Sequence, residues 1–309
     1  MLKAEVGSSV ASDAYRAGKE AAAKAALTGA KVAFAYSSCA YDQGALLKGV
    51  AEALPGVPVV GCTSFTGIIT PEGFVSGPDG YVGVMTLADD DVVYGVAGSE
   101  KGACARETGR QVARAAMASA GRTDAPSYFY MVAPPGEEET YLKGIEDVIG
   151  RVPFFGGSAA DNSVEGKWKV LYGTQSYSNG LSVVFFYTAK KAAFRYTGEY
   201  RETGKAGIIT KVEGKRKIVE IDGVPALDRY ATWLGVKPEE LSGLALLGAS
   251  ICHPLGEKDR LGDLVAIRHP MVGNPDHTIT VGNDVATGTA VIFMDGSPDE
   301  LIASTGTAI

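Results

Sequence analysis

The chain has 309 residues, of which 46% are hydrophobic and 40 are glycine, and its formal net charge is -7. This length is enough for a sizeable core in one large or two ordinary domains. The glycines are scattered rather than periodic, which excludes a collagen-like or low-complexity chain, and the lack of a basic stripe argues against a nucleic-acid partner.

The first predicted elements alternate between strand and helix. Residues 14–27 are rich in alanine with charges on one side, which predicts a helix capped by Ser12 or Asp13. The predicted elements that follow are a strand at 31–36, a helix at 45–54, strands at 57–61, 80–87 and 92–97, and a helix at 106–119. This alternation is typical of an α/β fold.

The same order then begins again along the chain. A strand at 128–132 and a helix at 140–149 lead into a second Val-Pro-x-x-Gly phrase. Residues 47–61 align with residues 142–156 at a constant offset of 95 residues, and the match includes Leu-Lys-Gly, Val-Pro and the final glycine. A constant offset with matching glycines is the mark of an internal repeat.

The repeat continues after an insertion of five residues, where DGYVGVM at 79–85 aligns with NGLSVVF at 179–185. We interpret the match as an internal duplication of a βαβ…ββ unit. The two copies are expected at residues 31–119 and 127–200, inside a first region that covers residues 1–200.

Residues 201–309 show a different order of predicted strands and helices from the duplicated region. AGIITKVEGKRKIVEI predicts a hairpin that turns at 213–215, and a helix with Pro225 in its first turn follows. Further strands are predicted at 264–268, 278–281 and 289–294. The chain ends inside a predicted helix, so we expect this region to be truncated. The predicted fold is therefore α/β with mixed sheets, a duplicated unit followed by a smaller α+β region.

The turn GGSAADN after the second Val-Pro-x-x-Gly strand predicts a ligand site. Gly157 leaves backbone N–H groups accessible, which suits a carboxylate, and Ser158 adds a hydroxyl. Asp161 suits an ammonium group, and Asn162 can donate or accept. Together they would hold an amino acid at both ends. The alternative is that the small residues pack a strand end against a helix that Asp161 caps.

Two segments of the first copy are expected to line the same cleft. Ser38 and Tyr41 lie in SSCAYD, directly after a strand, where α/β units place their ligand-facing loops. Cys62 and Thr63 begin the turn that corresponds to GGSAADN. The alternative for SSCAYD is that Asp42 caps the following helix.

Cys62 could instead be a nucleophile, which would make the protein a cysteine-dependent hydrolase. A nucleophilic cysteine needs a base, usually a histidine. The three histidines are His253, His269 and His277, all outside the duplicated region. A buried, inert thiol is the simpler interpretation.

The order and spacing of these motifs resemble the FIST domain, a bacterial and eukaryotic sensory module with N- and C-terminal halves. The resemblance is carried by SSCAYD, GCTSFTG and GGSAADN, together with the later IDGVPALDRY and CHPLG. Residues 20–200 resemble the N-terminal half and residues 205–309 part of the C-terminal half. The resemblance implies small-ligand sensing in signal transduction, with amino acids as the ligands usually proposed.

The resemblance also implies an alternative, because some FIST proteins resemble haem-binding nitric oxide sensors that act on a partner histidine kinase. His253, beside Cys252 in CHPLG, is the candidate axial ligand for a haem. A histidine in a turn before proline is more often structural or exposed. Arg268 could meet a ligand carboxylate in a fork geometry, or could be solvated.

These expectations combine into one prediction. We expect a cytoplasmic sensory domain that binds a small molecule between its two halves without catalysing a reaction, and that has no metal and no cofactor. No apolar stretch reaches the roughly 18 residues that span a bilayer, and the four cysteines form no CxxC pair. The predicted ligand-binding residues are Ser38, Tyr41, Cys62, Thr63, Gly157, Ser158, Asp161, Asn162 and Arg268.

Overall fold

A computed structural model of the chain describes residues 1–194, 200–258 and 265–308. The chain divides into two compact units, unit 1 (Met1–Ala192) and unit 2 (Ala193–Ile309). Residues 195–199, in the second predicted copy, and Leu264, in a predicted strand, lie outside the described residues.

Unit 1 contains the same succession of elements twice. The first copy consists of β1 (Lys3–Ser9), α1 (Ala14–Lys24), β2 (Val32–Ser37), α2 (Gln43–Ala53), β3 (Val59–Thr63), the hairpin β4 (Ile68–Thr70) and β5 (Gly73–Val75), and β6 (Val82–Ala88). The second consists of β7 (Val93–Glu100), α3 (Ala105–Ser119), β8 (Tyr128–Ala133), α4 (Glu138–Ile149), β9 (Phe154–Ser158), the hairpin β10 (Val170–Tyr172) and β11 (Gln175–Tyr177), and β12 (Gly180–Tyr187).

The two copies form sheets with the same strand order. The first runs β1-β6-β2-β3 and the second β7-β12-β8-β9, and the only parallel pairs in these described strands are β2–β3 and β8–β9. This confirms mixed sheets built from a duplicated unit. Each copy begins with a strand and a helix, so α3 opens the second copy, whereas the sequence alignment placed that helix at the end of the first.

One hairpin crosses from the second copy to the first sheet. β10 pairs antiparallel with β3, with Val170 opposite Cys62 and Leu171 opposite Gly61. The first sheet therefore has six strands, β1-β6-β2-β3-β10-β11, while the second has four. The corresponding hairpin of the first copy, β4–β5, forms a two-stranded sheet of its own.

Unit 1 has four layers, in the order helices, sheet, sheet, helices. The two sheets face each other across a shared core in which Phe34 and Val60 of the first sheet are clustered with Val184 and Phe186 of the second. The other face of each sheet packs on its own pair of helices, α1 and α2 or α3 and α4.

Glycines set the distance between the helices of each pair. A Cβ atom on Gly49 of α2 would lie 2.1 Å from the carbonyl oxygen of Tyr15 in α1. In the second copy, a Cβ atom on Gly144 of α4 would lie 2.0 Å from the carbonyl oxygen of Arg106 in α3. The repeated Leu-Lys-Gly phrase therefore marks a backbone-to-backbone helix contact that only glycine permits.

Unit 2 is an α+β arrangement around one sheet, in which all pairings of the described strands are antiparallel. Its elements are β13 (Arg201–Glu213), β14 (Lys217–Ile221), β15 (Val224–Pro225), α5 (Ala226–Leu234), a 3₁₀ helix (Pro238–Leu241), α6 (Ala245–Ser250), β16 (Leu255–Lys258), β17 (Val265–Arg268), β18 (Pro270–Gly273), β19 (Ile279–Val281), β20 (Ala290–Asp295) and α7 (Pro298–Ala308). The sheet runs β17-β16-β20-β13-β14-β19-β18, with β15 beside β14. The hairpin predicted around 213–215 is present.

Within the part of the chain that the structure describes, none of the helices combines the length and the apolar character needed to cross a membrane.

Replacing Gly49 by alanine tests the helix contact. Gly49→Ala should lower the unfolding free energy by about 1–3 kcal/mol, because the added methyl group must push α1 away from α2. The measurement is urea unfolding followed by circular dichroism. Gly102→Ala is the control, since a Cβ atom there would lie an ordinary 3.7 Å from Thr108 Oγ1. Equal stability of the two variants would contradict the close contact.

Candidate functional site

A cavity of about 400 Å³ opens between the two sheets of unit 1, where β3 and β9 end. Both copies contribute to its walls. The lining residues are Tyr36, Cys62, Thr63, Ser64 and Phe65 of the first copy and Tyr130, Val132, Phe155, Gly156, Gly157, Ser158 and Ala160 of the second. Four of the predicted ligand-binding residues, Cys62, Thr63, Gly157 and Ser158, are among them.

Corresponding positions of the two copies differ in size around the cavity. At the offset of 95 residues, Cys62 corresponds to Gly157 and Phe65 corresponds to Ala160. A Cβ atom on Gly157 would meet no atom within 4 Å. The smaller residues of the second copy therefore leave space that the larger residues of the first copy border.

Two tyrosine hydroxyls are hydrogen-bonded to each other among the lining residues. The hydroxyl oxygens of Tyr36 and Tyr130 lie 2.7 Å apart. Burial raises the pKa of Tyr36 to about 12 and raises the pKa of Tyr130 well above its usual range. Both phenols are therefore neutral near pH 7 and can offer hydrogen bonds but no charge.

Cys62 has the environment of a buried thiol. Its side chain is 5% exposed, and burial raises its pKa to about 12. An activated cysteine needs a lowered pKa instead, so that its thiolate is present at neutral pH. Unit 1 has no histidine in its sequence to act as a base.

The hydroxyl groups of the site already have partners. Thr63 Oγ1 accepts a hydrogen bond from the backbone N–H of Lys169 at 2.9 Å. Ser64 donates to the carbonyl oxygen of Gly67 at 2.8 Å, and Ser158 donates to Glu138 Oε1 at 2.7 Å. Each serine oxygen keeps lone pairs for a ligand donor; the Ser64 hydroxyl faces a carbonyl oxygen, and the Ser158 hydroxyl faces a carboxylate.

Asp161 holds the loop that leads to β10 and is absent from the cavity lining. Its side chain is buried, and its carboxylate accepts from the backbone N–H groups of Ser163 (3.1 Å), Glu165 (3.1 Å) and Lys167 (2.6 Å). Burial alone would raise the pKa of Asp161, but the N–H groups of Lys167, Ser163 and Glu165 outweigh it and hold the pKa below its ordinary value. No helix follows for it to cap in this described loop.

Asn162 ties the two motif turns together. Its Oδ1 accepts a hydrogen bond from the backbone N–H of Thr66 at 2.8 Å. Beside it, the N–H of Ala160 donates to the carbonyl oxygen of Thr63 at 2.9 Å. Asn162 therefore positions the cavity rim, though it is absent from the lining.

Ser38 and Tyr41 lie away from the cavity lining. Ser38 Oγ accepts from the N–H of Ala40, and the Tyr41 hydroxyl donates to the carbonyl oxygen of Ala11 at 2.5 Å. Asp42 caps α2 by accepting from the N–H of Ala45 at 2.7 Å. The helix cap that was the alternative for SSCAYD is present, and the ligand role of Ser38 and Tyr41 stays a prediction.

Arg268 and His253 belong to unit 2. Arg268 is paired with Glu257, at 3.0 Å between Nη2 and Oε2. The His253 ring is stacked on Phe293 with centroids 5.6 Å apart, and its Nδ1 lies 3.4 Å from Asp295 Oδ1. The described residues contain no group of three or more side chains arranged to hold a metal ion.

Sequence reasoning missed Tyr36, Tyr130 and Phe155 as cavity residues. All three stand on strands next to the motif turns, where aromatic residues are expected in a core. Phe155 could have been predicted from its position, because residues two apart on a strand face the same side, and Phe155 therefore faces the same side of β9 as Gly157.

Proteins bind small molecules in concave, mostly apolar sites, and the cavity where the two copies of this α/β unit meet is of that kind. The FIST N domain matches residues 31–224, and the FIST C domain matches residues 226–309. The chain therefore belongs to the FIST family, whose domains are small-ligand sensory domains of signalling proteins. No curated protein matches the sequence.

Two solved structures of cyanuric acid hydrolase are distantly similar to the chain. The enzyme from A. caulinodans has 10% identity and a TM-score of 0.30, over 60% of this chain and 72% of that chain. A second structure, described as an evolutionary innovation by structural concatenation, has 10% identity and a TM-score of 0.33, over 96% of this chain and 100% of that one. Likeness at this level carries no argument about fold or reaction.

Removing the Asp161 carboxylate charge should loosen the loop. Asp161→Asn should lower stability at pH 7 by about 1.5–3 kcal/mol, the range for a buried hydrogen-bonded charge. Because the folded-state pKa is depressed, this contribution is present above the unfolded-state value of about 3.9 and is lost as pH falls below it. Melting temperatures of variant and wild type should therefore converge toward pH 3.

The control for this test is Asp90→Asn, at a side chain that is 95% exposed. It should change the melting temperature little at any pH. A difference for Asp161→Asn that stays constant from pH 7 to pH 3 would contradict the assigned role of the charge.

Proposed function

We propose that the protein senses a small molecule, of the amino-acid class, that binds in the cavity between β3 and β9. The observation that carries the proposal is the bare Gly157 position, where a side chain would meet open space rather than protein. Packing alone does not require a glycine there. The corresponding Cys62 fills its own position with a buried side chain.

The lining chemistry favours an amino acid with an apolar or aromatic side chain. Tyr36, Tyr130 and Phe155 offer aromatic surface, and no lining residue is an Asp, Glu, Lys, Arg or His. The ammonium and carboxylate groups of the ligand would be met by hydroxyl and backbone groups. These groups take the place of Asp161 as the partner of the ligand ammonium, because the Asp161 carboxylate is hydrogen-bonded within its own loop.

The outer edge of β9 supplies backbone groups for this purpose. The N–H of Phe129 donates to the carbonyl oxygen of Pro153, and the N–H of Ala159 donates to that of Ala133. In a parallel ladder with this register, the N–H and C=O groups of Gly156 and Ser158 point away from β8. An exposed N–H suits a carboxylate, and an exposed C=O suits an ammonium group.

Binding is proposed to involve no chemistry. Support comes from the raised pKa of the Cys62 thiol and from the Ser64 hydroxyl, which donates to a carbonyl oxygen that cannot accept its proton. The haem alternative would rest on His253, where Phe293 covers one face of the ring.

The output would come from a shift in the relative position of the two copies. A ligand that contacts both walls and favours one arrangement of the copies changes its population, which is sufficient for a sensor. A separate signalling protein, such as a histidine kinase, would receive the change. We place this function in the cytoplasm, where the four free cysteines stay reduced.

Filling the cavity tests the site. Wild-type protein should be stabilised by one or a few amino acids in a thermal-shift panel, by about 2.7 kcal/mol at 100 times the Kd. Gly157→Val should fold normally, because its side chain enters open space, and should lose that stabilisation. Thr174→Val, on the exposed turn of the β10–β11 hairpin, is the control and should keep it.

The other outcomes of the panel contradict the proposal in distinct ways. A ligand that stabilises Gly157→Val as strongly as wild type binds elsewhere. A Soret band in the purified protein that His253→Ala removes would support the haem sensor instead. A panel without any response would contradict the amino-acid class.

A further inference from the structure

The outer edge of β9 has no strand partner among the described residues. All five residues of β9 are exposed, including Phe154 at 52% and Phe155 at 46%. β9 also has no charged residue and no β-bulge, the devices that usually protect a strand edge from pairing. An apolar edge of this kind is suited to accepting another strand.

The corresponding strand of the first copy shows what such an edge accepts. On β3, the N–H of Thr63 donates to the carbonyl oxygen of Lys169 at 2.9 Å, and the carbonyl oxygen of Val59 accepts from Gly173 at 2.8 Å. These two positions correspond to Ser158 and Phe154 on β9. The hairpin β10–β11 thus satisfies on β3 the groups that β9 leaves open.

The chain contains a second hairpin of the same construction. In β4–β5, Ile68 pairs with Val75 and Thr70 with Gly73 across a two-residue turn. β10–β11 repeats these pairings at Val170–Tyr177 and Tyr172–Gln175. The two hairpins therefore match residue for residue.

The two hairpins differ in how much apolar surface they bury. Leu171 of β10 is 0% exposed against the first sheet, whereas the corresponding Ile69 of β4 is 88% exposed. Phe74, opposite Ile69 in the hairpin, is 66% exposed. An apolar hairpin and an apolar strand edge are thus both uncovered in one chain.

We propose that the β4–β5 hairpin of a second copy of this chain adds to β9. The register of β10 on β3 transfers directly, which places Ile68 opposite Gly157, Ile69 opposite Gly156 and Thr70 opposite Phe155. The second sheet then gains two strands and matches the six strands of the first.

The chemistry of the two surfaces fits this pairing. Leu171 lies opposite Gly61 on β3, and Ile69 would lie opposite Gly156 in the same way, so a large aliphatic residue again faces a glycine. The only charged residue of the hairpin, Glu72, stands in its turn, so pairing would bury no charge within the hairpin strands.

The size of the contact sets its expected strength. The surface buried by one pair of three-residue strands is smaller than the roughly 800 Å² that each partner buries in a stable interface. Each chain of the dimer carries one free β4–β5 hairpin and one open β9 edge. If both hairpins pair with the β9 edge of the other chain, the buried surface doubles. We therefore expect a concentration-dependent dimer. The inference goes beyond the proposed sensing function and does not depend on a ligand. The added hairpin would occupy the outward N–H and C=O groups of Gly156 and Ser158 that the sensing proposal gives to the ligand, so the dimer and the ligand-bound protein are alternative states.

The test is sedimentation velocity of ligand-free, full-length protein from 1 to 200 µM, a range chosen around typical micromolar affinities. Wild type should shift from monomer to dimer. Ile69→Lys should fold normally, because the side chain is 88% exposed, and should weaken association by at least about tenfold because the ammonium would be desolvated. The control is Val93→Lys, at a 45% exposed residue on β7, the opposite edge strand of the same sheet.

Hydrogen exchange of the peptide that contains β9 completes the test. Its amides should become protected as wild type dimerises and stay unprotected in Ile69→Lys. A monomer throughout the range, or a dimer that Ile69→Lys leaves intact, would overturn the proposal. So would protection that is independent of concentration, which would assign the edge to a segment of the same chain.

Discussion

The pairing of β10 with β3 is the interaction on which the rest of unit 1 depends. It carries the chain of the second copy onto the sheet of the first, directly beside the cavity. The Asp161 carboxylate holds the crossing loop by accepting hydrogen bonds from three backbone N–H groups. At the end of the loop, Thr63 Oγ1 accepts a hydrogen bond from the N–H of Lys169. Because the crossing lies at the rim, both cavity walls are fixed by the same few hydrogen bonds.

Glycine explains why so much of the fold could be predicted from sequence. Gly49 and Gly144 are dictated by backbone contacts between helices, and Gly61 and Gly156 by a neighbouring carbonyl oxygen that a Cβ atom would approach to 1.8 Å. A side chain at any of these positions would push two backbones apart, and the four glycines stand at one offset in both copies. They revealed the duplication, and they located the turn that supplies Gly157 and Ser158 to the cavity.

Side-chain direction explains what sequence could not give. Asp161 is a polar residue in a glycine-rich turn, and nothing in the sequence tells whether its carboxylate meets a ligand or its own loop. The insertion in the repeat is another case: strand register makes Val84 equivalent to Val183, an insertion of four residues rather than five. A slip of one residue exchanges the two faces of a strand, and faces decide which residues line a cavity.

The unequal pairs Cys62/Gly157 and Phe65/Ala160 have a consequence for the orientation in which a ligand can bind. Walls made of identical copies would accept a ligand equally well in two opposed poses, so its orientation would carry no information. Walls that differ remove this degeneracy and select one pose. The differences in residue size between the two copies would thus fix the orientation of the proposed ligand.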